Sequence, residues 1–297
     1  MAHPLASRRA VLKAVAGAAA GLALSRADAG ARLPIMLGQV SLSFYAVVGS
    51  VIKHVLIGLG HEVEVREGPH DQMFPLLGSD SIDLMVAAWL PEGHAGYWQR
   101  YGQNAIEVTR LYEGARFYWA VPEYVPSTSV GSIADLGKPE VVQRMVREIQ
   151  AIGPAATITT ASQQAVDRYG LNGHFRVLPG TASAWIEAYR QHLADERWFV
   201  FPGWTPQFLN NAGTLRVLRD PLGVLGGINH AALVAPTRRF DALPPSTRRI
   251  LGRVRLSLDA VNRMDWAVNV DGASAQDAAR AWMQAHPDLV AQWLEDA

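Results

Sequence analysis

Two tryptophans in matching settings are the residues of this chain best placed to do chemistry. Trp89 ends the apolar run Ile82-Asp83-Leu84-Met85-Val86-Ala87-Ala88 and precedes Leu90-Pro91. Trp204 follows Trp198-Phe199-Val200-Phe201-Pro202-Gly203 and precedes Thr205-Pro206. A ring at the carboxyl end of a buried strand, fixed by a proline-containing turn, faces the crevice where α/β sheets bind ligands. The face of an indole is electron-rich and attracts a cation with about 0.5–2 kcal/mol. Two or three such rings form a box for a cation that has no hydrogen to donate. The competing reading packs each ring into its own core. A second candidate is Gly153-Pro154-Ala155-Ala156-Thr157-Ile158-Thr159-Thr160, which leads into a helix. Free backbone N–H groups at a helix start suit a carboxylate; an ordinary capped helix is the alternative.

Other reactive groupings are missing from the sequence. The histidines His54, His61 and His70 lie seven and nine apart, with no HExxH pair, so they do not read as a metal site. There is no GxSxG, P-loop or GxGxxG, and the run Gly223-Val224-Leu225-Gly226-Gly227 lacks the P-loop lysine. Asp83 has no partner carboxylate or nucleophile. Cysteine is absent, which excludes disulfides, thiolate metal sites, cysteine nucleophiles and a lipid-modified cysteine. No enzymatic activity and no cofactor are expected. Lys+Arg and Asp+Glu balance at 27 each, so no global positive field points to nucleic acid.

The elements that must position these residues follow from periodicity. Strands are predicted at 34–42, 62–66 and 82–89, with helices at 46–59 and 73–77 between them. This β-α-β-α-β order implies an α/β fold with a parallel sheet. Further strands are predicted at 117–121, 176–178, 198–202 and 231–235. Helices are predicted at 133–136, 139–147, 160–169 with Thr and Ser caps, 183–193, 246–268, 275–284 and 287–294. Residues 1–29 read as an address. Arg8-Arg9, an apolar run over 14–24 and Ala27-Asp28-Ala29 make a cleaved twin-arginine signal; an amphipathic N-terminal helix is the alternative. With no cysteine to anchor it, the product is expected free in the periplasm and not as a lipoprotein.

Taken together, Leu59-Gly60-His61-Glu62-Val63, Ala88-Trp89-Leu90-Pro91 with Tyr97-Trp98, Ala151-Ile152-Gly153-Pro154, Tyr169-Gly170-Leu171 and Gly203-Trp204-Thr205-Pro206-Gln207 resemble the substrate-binding proteins of glycine betaine, choline and carnitine ABC transporters. The resemblance implies a two-lobed type II periplasmic binding fold, each lobe a mostly parallel sheet flanked by helices. Lobe I would hold 33–120 and 221–297, and lobe II 121–220. It implies that Trp89 and Trp204 are rings of a cation cage, and that the loop with Pro154, Ala156 and Thr157 offers N–H groups to a ligand carboxylate. Four positions depart from the family pattern. Gln207 stands where His is usual, Ala155-Ala156-Thr157 replaces a glycine-rich loop, and a C-terminal cage Trp falls near Leu256. The first-strand loop, where others show Trp, reads Leu42-Ser43-Phe44-Tyr45, so Phe44 or Tyr45 would complete the cage. The function implied is the periplasmic component of an ABC importer. Its partners would be a betaine, choline or carnitine-like solute and an ABC permease with its ATPase. A binding protein for another small zwitterion and a sensor feeding a membrane receptor are the alternatives. Replacing Arg8 and Arg9 by Lys is expected to leave uncleaved precursor in the cytoplasm, which cell fractionation will show.

Overall fold

In the computed structural model of the chain, residues 33–295 are described; the expected export segment 1–29 lies outside them. The fold opens with β1 (Ile35–Val40), α1 (Ser43–Gly58), β2 (Val63–Gly68), α2 (His70–Gly78), β3 (Leu84–Leu90) and α3 (Ala95–Tyr101). β2 and β3 both pair with β1 in parallel, as strands joined by helices do. Every residue of β3 is buried, which its unbroken apolar run requires. α1 buries Val47, Val48, Val51, Ile52, Val55 and Leu56, one broad stripe at helical spacing.

The next strand, β4 (Ala105–Pro122), is 18 residues long. After a 3₁₀ turn at Ile133–Gly137 come α4 (Pro139–Val142), β5 (Glu148–Gln150), α5 (Thr157–Arg168), β6 (Arg176–Leu178), α6 (Ala182–Ala194) and β7 (Phe201–Thr205). A second 3₁₀ turn, Phe208–Asn211, leads to β8 (Leu215–Val217) and β9 (Asn229–Pro236). The chain ends in α7 (Thr237–Asp241), α8 (Pro245–Leu251), α9 (Leu258–Asn269), α10 (Ala275–Ala285) and α11 (Pro287–Leu294). The large sheet runs β2-β1-β3-β9-β4-β7, with β8 also on β4, and β5 and β6 form a small parallel sheet. Beyond β3 the large sheet is antiparallel, not parallel throughout. The cause is the path of the chain: it leaves along β4 and returns along β9, so the two strands run in opposite senses.

β4 serves two hydrophobic cores. Its residues 105–115 pair with β9, and 116–122 with β7 and β8. Leu111, Tyr112 and Ala115 belong to the larger core; Trp119 and Val121 belong to a second one built from residues 119–225. Three register shifts on β9 let this long strand twist from one core toward the other.

Several sequence expectations shift for identifiable reasons. α1 starts at Ser43, so Phe44 and Tyr45 lie in its first turn and not in a loop. The helix expected over 139–147 stops at Val142 because the Val146 N–H donates to Trp198 O at 2.7 Å. The helix expected over 246–268 breaks after Leu251, since the Leu256 N–H donates to Leu111 O at 2.6 Å and Ser257 caps a new helix. In both, long-range pairing overrides local propensity. α5 begins at Thr157, with Ala156 at its N-cap and no side-chain cap. The hydroxyls expected to cap it are used elsewhere: Thr159 Oγ1 donates to Ile152 O at 3.1 Å, and Thr160 Oγ1 to Thr157 O at 3.0 Å.

The strand expected over 198–202 lies three residues later, which makes Trp204 the last residue but one of β7, as Trp89 is of β3. Leu90-Pro91 and Thr205-Pro206 are both cis. Gly203 pairs with Tyr118, and a Cβ at Gly203 would lie 2.6 Å from the Tyr118 ring. Glycine leaves the room that ring occupies. Gly203→Ala should displace Tyr118 and cost about 1–3 kcal/mol, as overpacking does; thermal unfolding checks it.

Candidate ligand-binding site

Beyond the carboxyl ends of β3 and β7 lies a small cavity of about 20 Å³. One wall is aromatic. Phe44 stands 5.7 Å from Trp89 and 5.7 Å from Trp204, ring centre to ring centre, and Phe117 stands 5.2 Å from Trp89. A second wall is a polar corner of Tyr45, His70 and His94. The third is the start of α5, Ala156, Thr157 and Ile158. Here Thr159 and Thr160 donate to Ala156 O. Thr157 and Ile158 are the first two residues of α5, and their N–H groups have no intrahelical acceptor.

Of the residues singled out in sequence, Phe44, Tyr45, Trp89, Ala156, Thr157 and Trp204 line this one cavity. Pro154 does not. It lines an adjoining groove with Ser41, Asp71 and Gly153. Phe117, His70 and His94 were not singled out. Phe117 reaches the site because it is the register partner of Trp204, which a single strand does not disclose. His94 lies five residues after Trp89, within the same turn, and this spacing was the available signal.

Each ring is held from behind. The Trp89 backbone N–H donates to His94 Nδ1 at 2.9 Å, the His94 N–H donates back to Trp89 O at 2.8 Å, and Trp89 Nε1 donates to the Tyr112 hydroxyl at 3.0 Å. Asn229 Oδ1 accepts from the N–H groups of Glu92 and Gly93, both at 2.8 Å. Trp204 stacks on Trp185 at 4.6 Å and 16°, and Trp185 Nε1 donates to Pro202 O at 2.9 Å. One face of Trp204 is therefore covered. From α9, Asn262 Oδ1 accepts from the Gln207 N–H at 2.8 Å, and Asp265 Oδ2 from the Phe208 N–H at 2.7 Å. Asn269 Nδ2 donates to Asp265 Oδ1 at 3.0 Å and to Ser43 Oγ at 2.9 Å. This face of α9 thus clamps the turn after Trp204 to the start of α1, where Phe44 sits.

The cavity wall carries no formal charge. No Asp, Glu, Lys or Arg lines it, and its two histidines are neutral. Burial pulls the His70 imidazole down to about 4, and His94 well below its ordinary 6.5. Trp204 Nε1 is buried and has no hydrogen-bond partner.

The family model for the substrate binding domain of ABC-type glycine betaine transport systems matches residues 34–285. The chain belongs to this family. The glycine betaine/carnitine transport binding protein GbuC of Listeria monocytogenes is 26% identical over 160 residues, 53% of this chain and 52% of its own. This chain thus spans about half the length of that curated relative. Lactococcal OpuAC, solved closed with glycine betaine, matches with a TM-score of 0.80 at 21% identity, over 89% of this chain and 100% of that one. ProX from Borrelia burgdorferi matches at 0.81 and 20%, over 89% and 97%. A choline-binding protein in complex with choline matches at 0.78 and 18%, over 88% and 91%. At such identities the likeness is one of fold, the α/β type II periplasmic binding fold.

Within this glycine betaine transport family, the departures noted in sequence acquire positions. Gln207 does not line the cavity; its Nε2 donates to the Tyr118 hydroxyl at 3.3 Å and its Oε1 accepts from the Leu209 N–H at 3.3 Å. Leu256 also lies elsewhere, in a hollow it shares with Trp282; besides the two tryptophans, the rings of the aromatic wall are Phe44 and Phe117. Buried histidines and a buried carboxyl make the fold pH-sensitive in opposite directions. His70 is held neutral until about pH 4, whereas the unfolded chain protonates it near its ordinary value, so stability is lost as pH falls from about 6.5 toward 4. Burial raises the Asp265 carboxyl to about 6, so its contribution is present below about pH 4 and is lost as pH rises through about 6. Each is worth up to about 3 kcal/mol. Thermal unfolding across pH about 4.5–7.5 should show His70→Gln relieving part of the acid loss, with His94 carrying the rest, and Asp265→Asn relieving the loss that builds up to about pH 6.

Proposed function

We propose that this chain captures a quaternary ammonium zwitterion of the glycine betaine type and delivers it to an ABC permease and its ATPase. The observation that carries this reading is the uncharged cavity with electron-rich rings on one wall and unspent N–H donors on another. A methylated ammonium donates no hydrogen bond, so its affinity comes from ring faces and displaced water. The carboxylate meets the Thr157 and Ile158 N–H groups at the positive end of α5. A micromolar ligand needs about 8 kcal/mol. Three or four rings at about 0.5–2 kcal/mol each, with charged hydrogen bonds at about 1.5–3 kcal/mol, reach that order.

Charge selects within the class. A lone cation such as choline would be buried among these groups without a counter-charge, which is costly; a zwitterion brings its own. The family and its betaine- and carnitine-binding relative support this reading. We propose further that residues 33–120 with 221–297, and 121–220, move as two lobes; the smaller hydrophobic core lies within 119–225, while the larger one draws residues from both stretches. The twin-arginine segment supports export to the periplasm. Among the described residues no helix is long and apolar enough to cross a membrane, and the cysteine-free sequence offers no site for a lipid anchor.

Trp204 is 3% exposed and stacked, so truncation to Ala would also cost about 3–5 kcal/mol of stability. Trp204→Phe is the cleaner variant. It should stay folded and bind glycine betaine about fivefold more weakly, since one ring contact weakens by about 1 kcal/mol. Titration calorimetry of both proteins decides this. Unchanged affinity, or choline bound more tightly than glycine betaine, contradicts the reading.

A further inference from the structure

The turn after Trp89 dictates where a proton sits two groups away. Because the Trp89 backbone N–H donates to His94 Nδ1 at 2.9 Å, that nitrogen presents a lone pair. Burial keeps His94 neutral, and a neutral imidazole carries one N–H, so in His94 it is on Nε2. Nε2 lies 3.4 Å from the Tyr45 hydroxyl oxygen and can only donate to it. Tyr45 therefore accepts from His94, and its own proton points to some other acceptor. Among the described residues His94 is the only hydrogen-bond partner of that hydroxyl. Tyr45 is 2% exposed and lines the cavity. Trp204, which also lines the cavity, carries a second buried donor without an acceptor, its Nε1.

We infer that Tyr45 is a specificity-determining hydrogen-bond donor to the anionic end of the ligand, locked in the donor sense by His94. The inference rests on the zwitterion reading above and adds a residue to it. Contacts join this corner to the helix start. His70 lies 6.3 Å from the Tyr45 ring and stacks on Tyr97, whose hydroxyl donates to Ala155 O at 2.8 Å. A carboxylate at the start of α5 therefore has Tyr45 on an adjacent wall. A charged acceptor there is rewarded, because hydrogen bonds to ionised groups are about twice as strong as neutral ones. A ligand without an acceptor leaves the hydroxyl unpaired.

The test compares Tyr45→Phe with the unmodified protein against glycine betaine and tetramethylammonium, read by calorimetry and tryptophan fluorescence. The variant should lose about ten- to hundredfold in glycine betaine affinity, the order of one hydrogen bond to a charged group. It should change less than about threefold for tetramethylammonium, which offers no acceptor. Equal losses for both ligands would make Tyr45 a packing residue and overturn the inference, as would no loss for either. Nitrogen NMR of the unmodified, ¹⁵N-histidine-labelled protein gives a ligand-free check: His94 should be the Nε2–H tautomer, and an Nδ1–H signal overturns the relay. If the unmodified protein binds no quaternary ammonium while that tautomer is intact, the zwitterion reading falls and this inference falls with it.

Discussion

Phe44 touches Trp89 and Trp204 at equal ring distances, and the architecture of the site depends on that three-ring contact. The rings come from α1, β3 and β7, elements separated by long stretches of chain. On the proposed reading each must arrive with its backbone already fixed, because a cation gains little from a ring that has to be ordered on binding. The structure supplies rigidity from behind the wall. Trp89 is tied through its turn to His94 and through Asn229 to the start of β9. Trp204 is backed by Trp185 over a whole face. Phe44 is the central ring, and its helix is held to the Trp204 turn by α9.

That last connection runs through buried polar groups, which is an expensive way to hold two segments together. Asn262, Asp265 and Asn269 are spaced three and four residues apart on α9 and so share one face. They take up the N–H groups of Gln207 and Phe208 and reach Ser43. A buried carboxyl with a raised pKa, as at Asp265, costs stability when ionised. Apolar packing would cost less and would specify less. Hydrogen bonds to the Gln207 and Phe208 N–H groups set the register of the turn after Trp204. A neutral buried histidine opposes this acid in its pH dependence, so across the mildly acidic range the two contributions partly cancel.

Much of this was legible in the sequence where local signals and tertiary demands agree. The apolar run before Trp89, the proline after each tryptophan and the glycine-led approach to α5 are local features, and each marks a wall of the cavity. The rest depends on partners that a local pattern does not name. Phe117 becomes a ring because of cross-strand register. His70 and His94 enter the site because α2 and the turn after β3 bury them. The helix that should have run through Gly252 is broken by Leu111, a residue far away in sequence. Even the misplaced caps of α5 are instructive: Thr159 and Thr160 look like caps, but tertiary packing spends their hydroxyls elsewhere, which leaves the first N–H groups of the helix unspent.

The distribution of charge around the cavity gives the last constraint. Two acids lie close to it, and neither is on its wall. Asp71 lines the outer groove with Pro154. Asp265 occupies a neighbouring hollow behind Phe44 and Trp204, where its oxygens already accept from Phe208 and Asn269. Had a carboxylate faced the rings, a simple cation would be neutralised on arrival, and a zwitterion would be repelled at its own carboxylate. The wall instead offers donors: two backbone N–H groups at the helix start, a tyrosine hydroxyl and an indole N–H. Donors without a net charge stabilise an anion only in part, and rings stabilise a cation only in part. On the zwitterion reading the remainder comes from the ligand itself, whose two charges, held a few bonds apart, neutralise each other inside a cavity that contributes neither sign.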